Sequence, residues 1–407
     1  MGYYADNREM VFYFYSSVEE RMNKKVIKPI DSEVRITGRY TTTGKVTDSD
    51  YTLYLAFSAS GIEFKTNADK VTAEIVTDYM KDEKGCEAYL GVLVDNDELP
   101  YRKFVLDKDV AVYDIFDRKK YEQLKLDELG RHIKEGSAKY KSIVDKVHVV
   151  RIVKYTESYY AATGIRNITL EKEDREVESE PTKKRKHFVQ IIGDSITCGY
   201  GVEASGAEES FCTATENPFK AYAVKACREL KYDYELVSRS GIGIVSIYTG
   251  DGVKNTDDFL MPELYPYKDR FLARKNGKEP EEYEFKRKPD LIVINLGTND
   301  YSYTKDDPIR IEEFKDKYFE FVKTIRHMCP TAKITLAVGI MGQELFPAIK
   351  EVAEKMKDYG THKVEALLFP AQEGEIDGYG ADWHPSEVTQ AKEAEVFKNY
   401  LTYAMIS

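Results

Sequence analysis

The sequence predicts a two-domain α/β protein, in which an N-terminal β-sandwich precedes a C-terminal domain with a parallel sheet between layers of helices. Three observations support this fold class: apolar residues alternate with polar ones up to about residue 170, residues 171–187 are almost wholly charged, and strand and helix patterns alternate from residue 188 onwards. The length of 407 residues also suits two domains, since a domain usually has about 100–200 residues. We therefore predict a sandwich at 1–170, a linker at 171–187 and an α/β domain at 188–407.

The sandwich is predicted from short segments in which apolar side chains recur at every second position. This spacing is typical of half-buried antiparallel strands, and turn residues at 60–61 and 95–97 separate the segments. A helical insertion is expected at Tyr121–Gly136. The predicted strands are Val34–Tyr40, Thr52–Ser58, Val71–Thr77, Tyr89–Val94 and Val147–Lys154.

The linker is predicted from charge. Residues 171–187 read EKEDREVESEPTKKRKH and include Pro181. Such a segment buries too little apolar area to order itself, so we expect it to connect the two domains without joining either.

From residue 188 onwards, the spacing of apolar residues alternates between that of buried strands and that of helices. Leu291–Leu296 is a near-continuous apolar run, which indicates a strand buried on both faces. The other predicted strands are Phe188–Ile192, Tyr234–Val237, Ile334–Val338 and Val364–Phe369, and the predicted helices are Pro218–Leu230, Glu312–Cys329, Glu344–Tyr359 and Pro385–Tyr403. Alternating strands and helices predict a parallel sheet, and such sheets bind their ligands at the carboxyl ends of the strands.

Charge, apolar runs and cysteine content argue against several classes of partner and protein. A net charge of −11 argues against nucleic acid as a partner. No apolar run approaches the roughly 18–20 residues that a membrane helix needs. The five cysteines form no CxxC pair and are odd in number, which favours reduced thiols over a disulfide framework or a zinc site. Residues 1–10 lack the basic and apolar regions of a signal peptide, which predicts a cytoplasmic protein, or a secreted one whose leader is missing from this sequence.

Polar and glycine residues directly follow the predicted strands, at the carboxyl edge of the parallel sheet where ligands bind. Ser195 follows the first strand, Gly243 the second and Asn299 the third, and His384 precedes the last helix. Acyl transfer needs a nucleophile, a base and donors for the oxyanion. Ser195 is the candidate nucleophile and His384 the candidate base. The N–H groups of Ser195 and Gly243 and the amide of Asn299 are the candidate donors, and this chemistry requires no metal or organic cofactor.

These residues resemble the four marker blocks of the SGNH (GDSL-type) hydrolase superfamily, in the same order: Gly193-Asp194-Ser195, Gly243, Gly297-Thr298-Asn299-Asp300 and His384. The longer strings GDSITCGYG at 193–201 and DWHPS at 382–386 resemble carbohydrate esterase family 2, the two-domain acetylxylan esterases. The resemblance implies a sandwich of jelly-roll type before the hydrolase domain. It also implies a serine esterase that removes acetyl groups from acetylated xylan, mannan or related oligosaccharides.

Two alternatives stay open. A lipase or thioesterase of the same superfamily would need an apolar acyl pocket, and the sequence has no amphipathic lid. A carbohydrate-binding protein with a decayed hydrolase domain would not be expected to keep Ser195, Gly243, Asn299 and His384.

The group that orients His384 is also open. In most SGNH enzymes the acid lies three residues before the histidine, where this chain has Ala381. Asp382 lies two residues before it and would point the same way in an extended segment, whereas a backbone carbonyl, such as that of Trp383, would leave a Ser–His dyad. Trp383 and Tyr301 are predicted to contact a sugar ring, with packing in the core as the alternative for each.

Overall fold

A computed structural model describes residues 22–79, 85–129, 134–144, 146–360 and 363–406. Residues 1–10, on which the prediction about a leader rests, lie outside these ranges. The described residues form two six-stranded antiparallel sheets and one five-stranded parallel sheet. The two-domain α/β fold predicted from the sequence is therefore confirmed.

The sandwich domain consists of two facing sheets whose alternate side chains enclose one apolar core. The first sheet has the order β3-β4-β11-β6-β9 with β1 paired to β11, and the second has the order β12-β5-β10-β7-β8 with β2 paired to β5. The strands are β1 (Met22–Ile27), β2 (Arg35–Thr37), β3 (Tyr40–Thr43), β4 (Thr52–Leu55), β5 (Gly61–Thr66), β6 (Lys70–Tyr79), β7 (Tyr89–Val94), β8 (Arg102–Val105), β9 (Val110–Asp117), β10 (His148–Lys154), β11 (Ala161–Glu173) and β12 (Ser179–Pro181). Ile62, Val92 and Ile152 lie opposite one another on three adjacent strands and are fully buried.

Several sandwich predictions need correction. The strand predicted at Val34–Tyr40 is two strands, because Gly38 between them has a φ of 78° and a Cβ there would lie 2.7 Å from Ser60 Cβ. The helix predicted at Tyr121–Gly136 begins earlier, as α1 (Arg118–Glu128), because Asp117 caps it by accepting from the N–H of Lys120. Part of the predicted range lies outside the described residues, and a short helix α2 (Ala138–Lys141) follows it.

The charged segment is not a free linker. Glu171–Glu173 continue β11, and Ser179–Pro181 form β12 on the edge of the second sheet. The charged side chains of this segment do not enter a core, but they form ion pairs with the sandwich, as Glu180 does with Lys65 at 2.6 Å. Pro181 is tolerated there because an edge strand leaves some N–H groups unused.

The C-terminal α/β domain has five parallel strands in the order β14-β13-β15-β16-β17, with bounds β13 (Phe188–Gly193), β14 (Asp233–Ser238), β15 (Leu291–Asn295), β16 (Lys333–Ile340) and β17 (Val364–Ala371). Ile192 and Ile294 face one core and Ile191 and Val293 face another, so the sheet is buried on both sides, as Leu291–Leu296 predicted. The helices are α3 (Ser195–Cys198), α4 (Tyr222–Glu229), α5 (Met261–Leu264), α6 (Arg270–Lys275), α7 (Thr298–Thr304), α8 (Pro308–Met328), α9 (Phe346–Asp358), α10 (Gly374–Asp377) and α11 (Glu387–Ala404). Among the helices in the described ranges, none has both the length and the apolar character needed to cross a membrane.

Candidate active site

Ser195 lies at the first turn after β13, the strand between β14 and β15. The Asp194 side chain caps α3 by accepting from the N–H of Ile196 at 3.0 Å, so the chain turns directly from strand to helix. Gly193 permits this turn, because a Cβ there would lie 2.0 Å from Thr197 Oγ1. The serine is 6% exposed at the carboxyl edge of the sheet.

His384 contacts the serine directly. Its Nε2 lies 2.9 Å from Ser195 Oγ, and its Nδ1 lies 3.1 Å from the carbonyl oxygen of Ala381 and 3.2 Å from that of Asp382. Carbonyl oxygens only accept, so Nδ1 carries the proton and Nε2 is free to accept from the serine hydroxyl. Burial lowers the pKa of His384, so the imidazole is neutral near pH 7.

The Asp382 carboxylate forms no hydrogen bond with His384, which corrects the alternative in which this carboxylate is the orienting acid. It accepts instead from the Tyr200 hydroxyl at 2.9 Å and from the N–H of Phe211 at 3.3 Å. The segment is not extended: Asp382 has a φ of 49° and Trp383 of 59°, and this left-handed turn directs the carboxylate away from the imidazole.

The carbonyl acceptors also differ from the one predicted. Trp383 was the candidate, but its carbonyl accepts from the Gln372 side chain at 3.1 Å. The carbonyls of Ala381 and Asp382 take its place beside the imidazole. The geometry is therefore that of a Ser–His dyad with main-chain orientation.

Asn299 lies on the first turn of α7, next to the nucleophile loop. Its amide nitrogen donates to the carbonyl of Ile242 at 2.9 Å and to Asp194 Oδ2 at 3.3 Å. It is thus placed between the Gly243 loop and the residue before Ser195. Both hydrogens of the amide have acceptors within the protein, so the role of Asn299 as an oxyanion donor stays a prediction.

Only glycine fits at position 243, because neighbouring atoms occupy the space of a side chain. A Cβ there would lie 2.1 Å from the carbonyl oxygen of Ser246 and 2.7 Å from Asp300 Oδ1. Asp300 accepts from the N–H groups of Ile244 and Val245 at 2.8 and 2.7 Å and so holds the loop after Gly243. Burial raises the pKa of Asp300 to about 6 and that of Asp194 to about 7.

The aromatic rings of Tyr200 and Phe211 lie beside His384. The ring of Tyr200 is 4.2 Å from that of His384 and stacks on Phe211 at 3.7 Å. Trp383 is 52% exposed, so it is not a core residue. Tyr301 is partly buried against the core and donates to Asp306 at 3.4 Å, an arrangement that agrees with the packing alternative. Tyr200 was missed as a site residue although it lies within the GDSITCGYG string.

Glu157, Cys198 and Glu216 bring potential metal ligands within 4.8 Å of one another, close behind the nucleophile turn. Each is at most 1% exposed. Burial raises the pKa values of the Cys198 thiol and the Glu216 carboxyl well above their ordinary values, and Ser240 donates to both oxygens of Glu157. Both oxygens of Glu157 therefore already have a hydrogen-bond partner within the protein.

Known proteins are similar to this chain in sequence. Residues 191–392 match the GDSL-like Lipase/Acylhydrolase family. A cellulase/esterase from Acetivibrio thermocellus is 34% identical over 219 residues, which are 52% of this chain but 25% of that protein. An acetylxylan esterase/glucomannan deacetylase from Cellvibrio japonicus is 28% identical over 268 residues, which are 62% of this chain and 69% of that protein. The chain thus spans about a quarter of the first relative and about two thirds of the second.

Solved structures share the fold over nearly the whole chain. A family two carbohydrate esterase from Clostridium thermocellum, in complex with cellohexaose, has a TM-score of 0.71 at 24% identity and covers 91% of this chain and 99% of its own. An acetyl xylan esterase from the rumen bacterium Butyrivibrio proteoclasticus has a TM-score of 0.74 at 20% identity, with 94% and 98% covered. Residues 191–392 therefore form a domain that matches the GDSL-like lipase/acylhydrolase family, and the chain has the two-domain fold of the family 2 carbohydrate esterases.

Proposed function

We propose that this protein is a serine esterase that removes acetyl groups from carbohydrate through an acyl-enzyme. The observation that carries the proposal is the 2.9 Å contact between Ser195 Oγ and His384 Nε2, with Nδ1 of the same ring held by two carbonyls. A hydroxyl and a neutral imidazole in this arrangement are the nucleophile and base that ester cleavage needs. Relatives named as acetylxylan esterase/glucomannan deacetylase support acetylated carbohydrate as the substrate class.

The reaction begins with attack of Ser195 Oγ on the ester carbonyl carbon while its proton passes to His384 Nε2. The oxygen that becomes negative accepts hydrogen bonds from the N–H groups of Ser195 and Gly243 and from the Asn299 amide. The tetrahedral intermediate collapses as His384 protonates the departing sugar oxygen, which leaves an acetyl group on Ser195. Water then attacks the acetyl carbon with His384 again as base, and acetate is released.

The surface around the base supports a sugar as the leaving group. Trp383 is next to His384 and half exposed, so it offers a flat apolar face of the kind that packs against sugar rings. The Tyr200 hydroxyl and the Asp382 carboxylate beside it are polar groups at the same edge. A lipase would instead need a continuous apolar surface at this place.

The test compares 4-nitrophenyl acetate with butyrate and longer esters, for the wild type and Ser195→Ala. We expect preference for acetate and loss of turnover in Ser195→Ala with unchanged circular dichroism. Preference for long chains would favour the lipase or thioesterase alternative, and absence of turnover together with binding of oligosaccharide would favour the decayed hydrolase. Deacetylation of acetylated xylan, glucomannan and cello-oligosaccharides, followed by NMR, then identifies the polysaccharide and the hydroxyl position.

A further inference from the structure

A turn of the sandwich domain reaches into the C-terminal α/β domain, which is called the hydrolase domain below. Residues 155–160 connect β10 with β11. The main-chain carbonyl of Glu157 accepts from the N–H groups of Tyr160 at 3.1 Å and Ala161 at 3.2 Å, which keeps the turn compact. The turn directs the Glu157 side chain into the hydrolase domain, where the residue is only 1% exposed.

The Glu157 carboxylate binds Ser240 with both oxygens. One oxygen accepts from the Ser240 N–H at 2.6 Å, and the other accepts from the Ser240 hydroxyl. Ser240 follows β14 and lies three residues before Gly243, the candidate oxyanion donor. A hydrogen bond to a carboxylate in a buried site is strong, so Ser240 is held in place by the sandwich domain.

The far side of the same loop is held from within the hydrolase domain. Asp300 accepts from the N–H groups of Ile244 and Val245. Gly243 therefore lies between two carboxylate anchors, with Glu157 before it and Asp300 after it. One anchor belongs to the domain that carries the nucleophile and the other to the sandwich.

Neighbouring contacts keep the turn from moving away from the loop. Ser158 Oγ donates to Asp269 of the hydrolase domain at 3.2 Å. The guanidinium of Arg239, the residue before Ser240, lies 4.3 Å from the ring centre of Tyr159. The contact with Ser240 is therefore part of a packed domain interface and not an isolated bond.

We propose that Glu157 is a positioning residue, which acts through Ser240 to hold the Ser240–Gly243 loop so that the Gly243 N–H faces the developing oxyanion. This inference rests on the proposed esterase function and extends it, because it makes catalysis in the hydrolase domain depend on a side chain of the sandwich domain. The sandwich then completes the oxyanion site instead of being only an appended module.

The test is Glu157→Ala, which removes both contacts with Ser240. Misplacing one oxyanion donor costs up to about 10²–10³ in kcat, so a partly displaced Gly243 should lower kcat by about 10- to 100-fold with little change in KM. Binding of a boronic acid, which forms a tetrahedral adduct with the serine, should weaken in parallel. Glu157→Gln should restore most of the activity, because its amide can accept from the Ser240 N–H and donate to the Ser240 hydroxyl oxygen.

Glu216→Ala is the matched control. Glu216 is also a fully buried glutamate, and its side chain lies within 4.8 Å of that of Glu157 without bonding to Ser240. We expect both alanine variants to lower the unfolding midpoint, but only Glu157→Ala to lower kcat and weaken boronate binding. Equal loss of kcat in both variants, or loss of stability alone in Glu157→Ala, would overturn the proposal.

A milder pair keeps the test decisive if Glu157→Ala does not fold. Ser240→Ala removes only the hydroxyl contact at a partly exposed position and should lower kcat by a few-fold with little change in KM, whereas Glu157→Gln should stay close to the wild type. An unchanged kcat in Ser240→Ala would count against the proposal. Turnover of 4-nitrophenyl acetate that is lost in Ser195→Ala tests the esterase function separately. An active wild type with an equally active Glu157→Ala overturns the positioning role alone, whereas a wild type without Ser195-dependent turnover overturns both.

Discussion

The hydrogen on Nδ1 of His384 is held by the carbonyls of Ala381 and Asp382, which are neutral acceptors. They select the tautomer in which Nε2 faces Ser195, but they stabilise the imidazolium less than a carboxylate in direct contact would. The Asp382 charge still raises the pKa of His384, although burial, the larger effect, lowers it. The orientation of His384 therefore depends on main-chain carbonyls more than on a third side chain.

Asp382→Asn should be a mild change. It preserves an oxygen acceptor for Tyr200 and Phe211 and leaves the carbonyl that contacts His384 in place. We expect kcat to fall by less than about tenfold, whereas His384→Ala should cost about 10⁴-fold or more. Steady-state kinetics of the two variants side by side give the answer, and losses of equal size would contradict orientation by carbonyls.

The pH profile should report the same imidazole. Because the neutral form of His384 is the base and burial lowers its pKa, kcat/KM should rise with pH through a midpoint below 6.5, the ordinary value. Asp382→Asn should move this midpoint further down, because it removes a charge that favours the imidazolium. Profiles recorded over about pH 5 to 8 measure both midpoints. A midpoint above the ordinary value, or an upward shift in the variant, would be inconsistent with this account.

At the scale of elements, the turn that carries His384 packs against the turn that follows the nucleophile helix. The N–H of Ala381 donates to the carbonyl of Gly201 at 3.0 Å. Gly201 has a φ of 60°, and a Cβ there would lie 2.4 Å from Ala381 Cβ. The position of the carbonyl that holds His384 therefore depends on a glycine at the end of the GDSITCGYG string.

Gly201→Ala should disturb catalysis from outside the reacting groups. The added methyl displaces Ala381 and with it the acceptor of the His384 Nδ1 hydrogen, so we expect kcat to fall by about 10- to 100-fold. Gly206→Ala is the control, because a Cβ there meets no atom within 4 Å. Kinetics and melting curves of both variants test this, and equal kcat values would show that the turn tolerates the methyl group.

At the scale of the whole molecule, a buried arginine joins the two domains. Arg39 of the sandwich is fully buried, and its Nη1 donates to the carbonyls of Tyr265 and Tyr267 at 2.5 and 2.6 Å. Its Nε lies 3.4 Å from Glu235 on β14, and its guanidinium lies 3.9 Å from the ring centre of Tyr283. Together with the Glu157 turn, this contact makes the domains a single packed unit.

Arg39→Ala should therefore destabilise the protein strongly. It leaves the buried Glu235 without its cation and two carbonyls without their donor, and losing one partner of a buried pair costs about 3–5 kcal/mol. Lys65→Ala, which breaks the exposed pair with Glu180, should cost about 0–1 kcal/mol. Urea unfolding monitored by fluorescence and circular dichroism measures both free energies of unfolding. Similar values for the two variants would contradict the role of Arg39 as the joint between the domains.

The sequence by itself determined the fold class and brought Ser195, Gly243, Asn299 and His384 to one edge of the sheet. Buried strands are recognised in the sequence as apolar runs. Because the carboxyl ends of parallel strands lie at one edge of the sheet, residues that follow three separate strands could be placed together from the sequence alone. The Ser195–His384 contact spans 189 positions, yet it followed from local patterns because each residue lies at a strand end or a helix start. The order of strands in the sandwich was not accessible in this way, since antiparallel pairing joins segments that are far apart in sequence.

Only the tertiary structure decided which atoms touch which. The left-handed turn at Asp382 and Trp383, which sends the carboxylate to Tyr200, is set by packing against the turn at Gly201 and not by local preference. The Glu157–Ser240 contact crosses two domains and carries no motif, so it became visible only when both were assembled. Likewise, Ser179–Pro181 of the charged segment pair with the sandwich because that sheet offers an open edge and matching charges. The spacing of residues along the chain specifies which face or edge a residue occupies. The direction of a side chain and its hydrogen-bond partners depend on surfaces that form only when distant segments come together.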